Sequence, residues 1–260
     1  MILTNNEIQS LADFAIIIAR EAGELVMSYY KTGMEAQVKS DGSPLTAADQ
    51  ASHDIIIESL LKTGFPIVSE EAKELPFDSA YYWLVDPLDG TKDFIAATDE
   101  FTINIALIYQ EMPVMGVVYA PALDELYTGI PGLGAWMEQD GKRKSSSFEP
   151  ESLGLRMAVS RFHDHADTLL FAKENHVQEM LPLGAALKYG RLAMAQIDVY
   201  PRMVGTSEWD TAAGQAVLEA AGGAIIDYET RQPLRYGKIN RRNKAFIAIR
   251  MPYTFNDFSS

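Results

Sequence analysis

The fold is decided by one stretch in the first half of the chain, Trp83-Leu84-Val85-Asp86-Pro87-Leu88-Asp89-Gly90-Thr91-Lys92-Asp93-Phe94. The apolar run Tyr81 to Val85 has the length of a buried strand, and it breaks into two carboxylates, a proline and an Asp-Gly turn. Because Pro87 has a fixed φ, Asp86, Asp89 and the Leu88 carbonyl can converge, and three such oxygens suit a hard cation such as Mg²⁺. The alternative is a turn that uses these residues only for their backbone preferences.

Two other segments supply further carboxylates. The short run Pro66 to Ser69 predicts a strand that leads into Glu70 and Glu71, and these face opposite ways if the chain stays extended. One of them can therefore point at the cation. Farther along, Asp210 lies at the N-terminal end of a predicted helix that stops at a Gly-Gly pair, so helix capping is the alternative to metal binding.

These three segments occur in a fixed order that resembles a known family. A Glu-Glu pair is followed by D-P-[IL]-D-G-T with a later Phe, and then by W-D-x-A-A-G before A-G-G. The combination resembles the inositol monophosphatase family of lithium-sensitive, magnesium-dependent phosphatases, and it covers nearly the whole chain. The resemblance implies an α+β fold, the layered αβαβα sandwich of the inositol monophosphatase and fructose-bisphosphatase type, with the site between two halves.

The resemblance also implies a role for individual residues. Two or three Mg²⁺ ions would be bound, with inhibition by Li⁺, and a phosphate would accept hydrogen bonds from the Gly90 and Thr91 N–H groups. The first ion would be held by Glu70, Asp86 and the Leu88 carbonyl, and the second by Asp86, Asp89 and Asp210. Thr91, hydrogen-bonded to Asp49, would orient the attacking water with the help of Glu70, while Glu71 would order the surrounding loop and water. Asp49 has an alternative role, because it closes a possible capping box with Thr46.

The substrate is indicated by weaker signals. The sequence around the motif is most similar to that of the 3'(2'),5'-bisphosphate nucleotidase branch of the family. In that branch, G-S-S-L-K and Y-x-R segments bind the second phosphate of the nucleotide. Here the segments read Gly184-Ala185-Ala186-Leu187-Lys188 and Tyr200-Pro201-Arg202, so Lys188 and Arg202 match while two serine hydroxyls are missing. In the same branch Ser160, Arg161 and His163 fall on a substrate-facing loop.

The resemblance thus implies conversion of adenosine 3',5'-bisphosphate to AMP and phosphate by a magnesium-dependent phosphatase. An inositol or sugar monophosphatase is the alternative enzyme. A sensor of phosphate esters without turnover and a scaffold protein are alternatives of other classes. The intact set of Asp49, Glu70 and Thr91 argues against the sensor, because a binder needs no water-activating pair. A scaffold does not explain five acidic side chains placed on separate elements at the positions of the family.

Composition excludes several other functions. The chain has 260 residues, a net charge of -14 and no cysteine, so disulfides, a thiolate nucleophile and a cysteine zinc site are excluded. The acidic balance argues against a long nucleic acid as partner and favours a small phosphorylated substrate whose charge is offset by local cations. The N-terminus has no basic region before its longest apolar run, which predicts a cytoplasmic protein with no membrane span. The oligomeric state is open, with a homodimer as one option.

Periodicity and turn signals predict two halves, an α+β half at residues 1–145 with most metal ligands and an α/β half at 146–260 with Asp210 and the substrate-binding residues. Thr4 and Glu7 predict the capping box of a first helix that stops near Gly33, and a second helix starts after Thr46. The polar run Lys142 to Pro150 is predicted to connect the halves. The other predicted strands cover 101–109, 114–119, 125–130, 135–138, 156–160, 198–200, 224–227 and 245–249, and the other predicted helices cover 164–175, 185–197 and 209–221.

Overall fold

The computed structural model of this chain describes residues 2–32, 37–38, 44–73, 77–146, 154–162 and 166–259. The predicted helix stop at Gly33, the last part of the predicted connection, His163 and the predicted helix start at Asp164 lie outside the described residues. In the described part of the chain, no helix is both long and apolar enough to cross a membrane.

The first half of the chain is built on a seven-stranded sheet. Its strand order is β3-β4-β5-β6-β7-β8-β9, and every neighbouring pair is antiparallel except β3 with β4. The elements up to residue 145 are α1 (Asn5–Tyr29), β1 (Gln37–Val38), β2 (Pro44–Leu45), α2 (Ala47–Leu60), β3 (Ile67–Ser69), β4 (Tyr81–Asp89), α3 (Thr91–Ala96), β5 (Thr102–Tyr109), β6 (Met112–Ala120), β7 (Glu125–Ile130), β8 (Gly134–Gln139) and β9 (Lys142–Ser145).

The second half contains a five-stranded mixed sheet with the order β11-β10-β12-β14-β13. Its elements are β10 (Arg156–Ser160), α4 (Ala166–Glu174), β11 (Glu179–Leu183), α5 (Leu187–Ala193), β12 (Val199–Arg202), α6 (Ala212–Ala220), β13 (Ala224–Asp227) and β14 (Phe246–Ile249). Single 3₁₀ turns are formed by Leu61–Thr63, Pro121–Leu123 and Phe255–Asp257.

Three groups of buried side chains show how the layers stack. Trp83 of β4 and Ile18 of α1 belong to a core between the first two helices and one face of the large sheet. Tyr127 of β7 and Val217 of α6 belong to a second core, which takes residues from both sheets as well as from α5 and α6. A third core places Phe171 of α4 on the outer face of the small sheet. The order is therefore helix, sheet, helix, sheet, helix, which confirms the predicted αβαβα sandwich.

Helix α6 lies unusually close to the large sheet. A β-carbon added at Gly116 of β6 would lie 2.3 Å from the Ala213 carbonyl oxygen, and one added at Gly129 of β7 would lie 2.3 Å from the Val217 Cα. Only glycine fits at these two positions, because no real β-carbon makes contacts that short. The close approach fixes the height of α6 above the sheet.

Both predicted capping boxes are confirmed. Thr4 caps α1 with Glu7, and Thr46 caps α2 with Asp49. The first helix ends at Tyr29, before the predicted glycine stop.

The end of β4 differs from the prediction. The strand does not stop at Val85 but continues to Asp89, with Asp86 opposite Asn104 and Asp89 opposite Thr102. The register shifts between Asp86 and Asp89, so the residues around Pro87, which has no N–H to donate, form an irregularity within the strand. The predicted site therefore lies on a bulged strand rather than in a turn after it.

Other boundaries were also wrong. The start of the predicted connection is the exposed edge strand β9, whose charged side chains do not prevent backbone pairing. Strand β11 was missed, because an edge strand with a proline and mostly exposed or partly exposed side chains has no apolar alternation. Helix α6 begins at Ala212 instead of Trp209, and α5 is shorter than predicted at both ends.

Candidate active site

A cleft of about 440 Å³ lies between the two halves of the chain. It contains most of the residues that the sequence singled out, while Asp49 and Glu71 are outside its lining. The predicted residues that line it are Glu70, Asp86, Leu88, Asp89, Gly90, Thr91, Lys188, Arg202 and Asp210.

Asp86 occupies the bulge of β4. Its side chain is 1% exposed, and its Oδ1 accepts a hydrogen bond of 3.1 Å from the Leu88 N–H. The Ser52 hydroxyl of α2 donates to the Pro87 carbonyl oxygen at 2.7 Å and so fixes the bulge from behind. A packed helix and the strand itself therefore hold this carboxylate in place.

Asp89 is positioned by the neighbouring strand. Its Oδ2 accepts hydrogen bonds from Asn104 Nδ2 at 3.2 Å and from Thr102 Oγ1 at 3.4 Å. Sequence reasoning missed these two partners. Their spacing of two residues on a strand that follows the motif is a signal that could have found them, because residues two apart share a face.

Asp210 reaches the cleft from just before α6. Its Oδ2 accepts a hydrogen bond of 2.8 Å from the Ser207 N–H, and the residue that precedes the helix is Thr211. Asp210 is thus not the N-cap, and the helix-capping alternative is wrong. We call Glu70, Asp86, Asp89 and Asp210 the acidic wall of the cleft.

The acidic wall has carboxyl groups with raised pKa values. Burial raises the pKa of Asp86 well above its usual range, and the negative charges of Glu70, Asp89 and Asp210 raise it further. The pKa of Asp210 is raised by burial and then by Asp89 and Glu70. Burial raises the pKa of Asp89 to about 6, although Lys188 opposes the shift. Each carboxylate would be stabilised by a cation placed among them.

The acidic wall fits a divalent cation through charge rather than through a preformed cage. Among the described residues, no three histidine or carboxylate side chains are arranged so that they alone could enclose a metal ion. Mg²⁺ does not require such a cage, because it keeps several waters and is usually bound by one or two carboxylates together with substrate phosphates. The Leu88 carbonyl borders the same cleft and offers a further oxygen.

Thr91 and Asp49 form the predicted contact. The Thr91 hydroxyl donates to Asp49 Oδ1 at 3.1 Å, while Asp49 Oδ2 accepts from the Thr46 N–H at 2.7 Å. Oδ2 of Asp49 therefore serves the capping box, while Oδ1 makes the contact with Thr91. Next to Thr91, Gly90 has a φ of 85°, and a β-carbon there would lie 3.1 Å from the Ala185 Cβ.

Two cations, Lys188 and Arg202, line the same cleft. Lys188 is 5% exposed, and its Nζ donates to the Leu183 carbonyl oxygen at 2.9 Å. Burial, assisted by the nearby positive charge of Arg202, lowers the pKa of Lys188 to about 8, although Asp89 opposes the shift. The Arg202 Nε is buried and has no hydrogen-bond partner in the described part of the chain.

The two alanines that replace the serines of the branch differ in whether they line the cleft. Ala185 lines the cleft, whereas Ala186 is 1% exposed and lies outside the lining. The Ala186 N–H donates to Thr102 Oγ1 at 3.3 Å, so this backbone also supports the strand that holds Asp89. Only at position 185 does the missing hydroxyl affect the surface of the cleft.

The cleft also contains charged residues for which sequence reasoning predicted no role or only an aligned loop position. Arg161 lines it and pairs with Glu100 at 2.6 Å and with Asp93 at 3.5 Å. Arg242 lines it from a loop that follows Tyr236. Nothing in the sequence distinguishes Arg242 from the neighbouring basic residues of that loop, so no sequence signal could have found it. We call Lys188, Arg202 and Arg242 the cationic wall.

A bulged strand that presents buried carboxylates to a cleft also lined by cations, within an αβαβα sandwich, is typical of a metal-dependent phosphoester hydrolase. The sequence pattern of the inositol monophosphatase family matches residues 7–248 of this chain. The chain therefore belongs to the inositol monophosphatase family, and it is an enzyme of the phosphatase class.

Curated relatives agree with this assignment. The 3'(2'),5'-bisphosphate nucleotidase CysQ of Salmonella typhimurium is 42% identical over 219 residues, which are 82% of this chain and 88% of the relative. The 3'(2'),5'-bisphosphate nucleotidase CysQ of Escherichia coli K12 is 40% identical over 226 residues, covering 84% of this chain and 91% of the relative.

Solved structures show the same fold. CysQ from Bacteroides thetaiotaomicron, a bacterial member of the inositol monophosphatase family, superposes with a TM-score of 0.84 at 34% identity, covering 96% of this chain and 100% of that one. The extragenic suppressor protein SuhB from Bartonella henselae gives a TM-score of 0.77 at 28% identity, over 93% of this chain and 94% of that one. The family and the fold expected from the sequence are thus confirmed.

Proposed function

We propose that this chain is a 3'(2'),5'-bisphosphate nucleotidase that uses Mg²⁺ to convert adenosine 3',5'-bisphosphate to AMP and phosphate. The carrying observation is that Lys188 and Arg202, two neighbouring cations, line the same cleft as the acidic wall. The nucleotidase relatives at 31–42% identity support the same substrate class. The cytoplasmic location, a homodimer and the division of the chain after residue 145 stay predictions.

The metal ligands that we propose are Glu70, Asp86, the Leu88 carbonyl, Asp89 and Asp210, which would hold two or three Mg²⁺ ions. Bound Mg²⁺ supplies positive charge that lowers the pKa of water and neutralises phosphate oxygens. By family resemblance, Li⁺ inhibits. The raised pKa values of Asp86 and Asp210 support this assignment, because unneutralised like charges gain most from a bound cation.

Thr91 and Asp49 position the water that attacks phosphorus. Because the Thr91 hydroxyl donates its own proton to Asp49, its oxygen lone pairs are left to accept a hydrogen bond from that water. A water held in this way has one proton directed at Thr91 and a lone pair free for the phosphorus. Such positioning is the main contribution that phosphoryl transfer asks of a protein. Glu70 would border the same water, and Glu71 would order the loop.

The substrate is positioned by both sides of the cleft. The backbone N–H groups of Gly90 and Thr91 lie at the start of α3, where they can donate to oxygens of the transferred phosphate. Lys188 and Arg202 would bind the second phosphate. A doubly charged phosphate between them relieves the mutual repulsion of the two cations, which a monophosphate bound only at the acidic wall cannot do.

The test compares Arg202→Ala with the wild type on two substrates, adenosine 3',5'-bisphosphate and inositol monophosphate. A charge-assisted contact contributes roughly 1.5–3 kcal/mol, so kcat/KM for the bisphosphate should fall about ten- to a hundredfold. The monophosphate has no second phosphate, and its kcat/KM should change little. Arg235→Ala is a matched control, because Arg235 is exposed and does not line the cleft.

Equal losses on both substrates, or wild-type activity confined to inositol monophosphate, would reject the nucleotidase assignment. The alternative of an inositol or sugar monophosphatase would then stand. Loss of activity in Arg235→Ala would show instead that removal of any positive charge is harmful.

A further inference from the structure

The cationic residues of the cleft differ in how far their charge is already neutralised. Arg161 is paired with Glu100 and Asp93, and the Lys188 ammonium is buried against the Leu183 carbonyl. Arg242 is exposed, and among the described residues its guanidinium donates to neutral groups, with NH1 bound to Ser207 Oγ at 3.1 Å and NH2 to the Gly205 carbonyl oxygen at 3.4 Å. No ion pair joins Arg242 to a carboxylate within the described ranges. Its charge and its remaining donors are thus available to a ligand.

The backbone of Arg242 is fixed on both sides. Arg241 accepts a hydrogen bond of 2.8 Å at its carbonyl from the Glu208 N–H, and the Asn243 N–H donates to the Thr206 carbonyl at 2.8 Å. Ser207 and Arg242 form an antiparallel bridge between these two contacts. The loop around Arg242 is therefore paired with the segment that leads into Asp210.

A buried carboxylate strengthens this pairing. Glu208 is 0% exposed and accepts from the Gly237 N–H at 3.1 Å, the Lys238 N–H at 3.0 Å and Arg241 NH1 at 3.2 Å. The Asn243 side chain adds a donor of 2.8 Å to Thr211 Oγ1. A guanidinium on such an anchored loop loses little conformational entropy when it binds an anion.

Arg242 lies near Asp210, because its guanidinium contacts Ser207 Oγ and the Ser207 N–H donates to Asp210 Oδ2 at 2.8 Å. Its positive charge lowers the pKa of Asp210, against the larger raising effects of burial, Asp89 and Glu70. Lys188, by contrast, interacts electrostatically with Asp89 and Arg202. A phosphoester in the cleft would therefore meet positive charge near Asp210 as well as near Asp89.

We propose that Arg242 contacts a phosphate oxygen of the bound substrate from the Asp210 side of the cleft, in addition to the contacts of Lys188 and Arg202. The guanidinium is planar and has donors left over after its contacts with Ser207 and Gly205, which suits a phosphate oxygen. This inference deepens the proposed function and rests on it.

The test measures kcat and KM of Arg242→Ala and Arg242→Lys with adenosine 3',5'-bisphosphate and with adenosine 3'-phosphate. We expect Arg242→Ala to raise KM about ten- to a hundredfold while kcat stays within about threefold, because the contact exists in the ground state and in the transition state. Arg242→Lys keeps the charge and should recover part of the affinity. The dissociation constant of inorganic phosphate, measured by calorimetry with Mg²⁺ present, should be lowest for the wild type, higher for Arg242→Lys and highest for Arg242→Ala.

Lys244→Ala is the matched control, since it removes one positive charge from the same loop at a side chain that is 70% exposed and pairs with Glu229. It should leave KM unchanged. A rise in KM on both nucleotides identifies the transferred phosphate as the one contacted, and a rise on the bisphosphate alone identifies the second phosphate. Either result supports the proposal.

Unchanged KM in Arg242→Ala, or an equal change in Lys244→Ala, would overturn the proposal. If Arg242→Ala does not fold, Arg242→Lys decides, because a purely structural role predicts a lower melting temperature with an unchanged KM. Failure of the proposed function would be seen separately, in a wild type that prefers inositol monophosphate. The Arg242 variants would then be assayed on that ester, with the same expectation for KM.

Discussion

Two buried aspartates of this molecule lie in opposite electrostatic environments. Asp198 and Asp86 are each 1% exposed. Asp198 is surrounded by guanidinium groups, with Arg250 Nε at 2.7 Å from its Oδ1 and Arg156 Nε at 3.1 Å from its Oδ2. Asp86 instead faces the negative charges of Glu70, Asp89 and Asp210.

The two environments shift the pKa values in opposite directions. Burial raises the pKa of Asp198, but hydrogen bonds from Arg156 and Arg250 outweigh it, so that the pKa is lowered. At Asp86, burial and like charges act together and raise the pKa. Within the described ranges, the fold thus neutralises Asp198, which joins its own strands, and surrounds Asp86 with like charges. A carboxylate left in this state marks a functional site rather than a structural one.

The substitution Asp86→Asn is the strongest test of the difference between the functional and the structural aspartate. The change keeps the shape of the side chain but removes the charge that the two proposed metal sites would share, so activity should fall roughly ten-thousandfold, which is about 5.5 kcal/mol of transition-state stabilisation. Without metal, the melting temperature should stay the same or rise, because like-charge repulsion is relieved. Phosphate release and thermal unfolding, each with Mg²⁺ and with excess chelator, measure both effects.

Added Mg²⁺ should raise the melting temperature of the wild type but not that of Asp86→Asn, because a ligand stabilises only the folded state that binds it. Full turnover in excess chelator would contradict the assignment of the acidic wall. A large loss of stability in the metal-free variant would show that Asp86 is structural.

The same substitution at Asp198 should have the opposite result. Asp198→Asn removes the charge that pairs with the buried Arg250 guanidinium and with the partly buried Arg156 guanidinium, and breaking a buried pair in this way costs about 3–5 kcal/mol of the free energy of unfolding. Activity per folded molecule should be unchanged, since Asp198 does not line the cleft. Urea unfolding followed by tryptophan fluorescence checks the first expectation. If Asp198→Asn were as inactive as Asp86→Asn while still folded, the distinction between the two acids would fail.

The smallest effect concerns pH. A carboxyl group with a lowered folded pKa stabilises above its unfolded value, here 3.8, and this contribution is lost as pH falls through the folded pKa. The difference in unfolding free energy between wild type and Asp198→Asn should therefore become smaller as pH falls below 3.8. Asp86, Asp89 and Asp210 have raised pKa values, so their contribution to stability is present at low pH and is lost as pH rises through those values, with Asp89 at about 6.

Without metal, the unfolding free energy of Asp86→Asn should consequently exceed that of the wild type by a growing amount as pH rises toward 7. The linkage of one proton gives about 1 kcal/mol over one pH unit. Unfolding free energies measured without metal at several pH values check both trends. Parallel curves for the three proteins would contradict them.

The contiguous part of the site could be predicted from sequence because local spacing determines it. Asp86, Asp89, Gly90 and Thr91 lie on one strand and the turn after it, so their proximity requires no knowledge of the rest of the fold. Asp49 could be found because a capping box fixes its position relative to Thr46.

The rest depends on pairing between distant segments. The extension of β4 through Pro87 is caused by its contacts with β5, which no local pattern specifies. Arg242 reaches the cleft only because its loop pairs with the segment around Ser207, and Glu208 is buried only because that loop encloses it. Charged side chains in polar loops carry no periodic signal, so the sequence could not separate them from solvent-exposed residues.

The close packing of α6 on the large sheet limits which residues can change during evolution. Asp210 stands just before this helix, so the absence of two β-carbons at Gly116 and Gly129 sets how deeply an acid of one half is inserted toward those of the other. Similar contacts seat the segments that carry the cations, since a β-carbon at Gly190 would lie 2.5 Å from the Tyr127 ring and one at Gly205 would lie 2.4 Å from the Asn243 carbonyl oxygen. New ester preferences can therefore arise by exchange of side chains on the cationic wall, while the backbone spacing of both walls is inherited with these glycines.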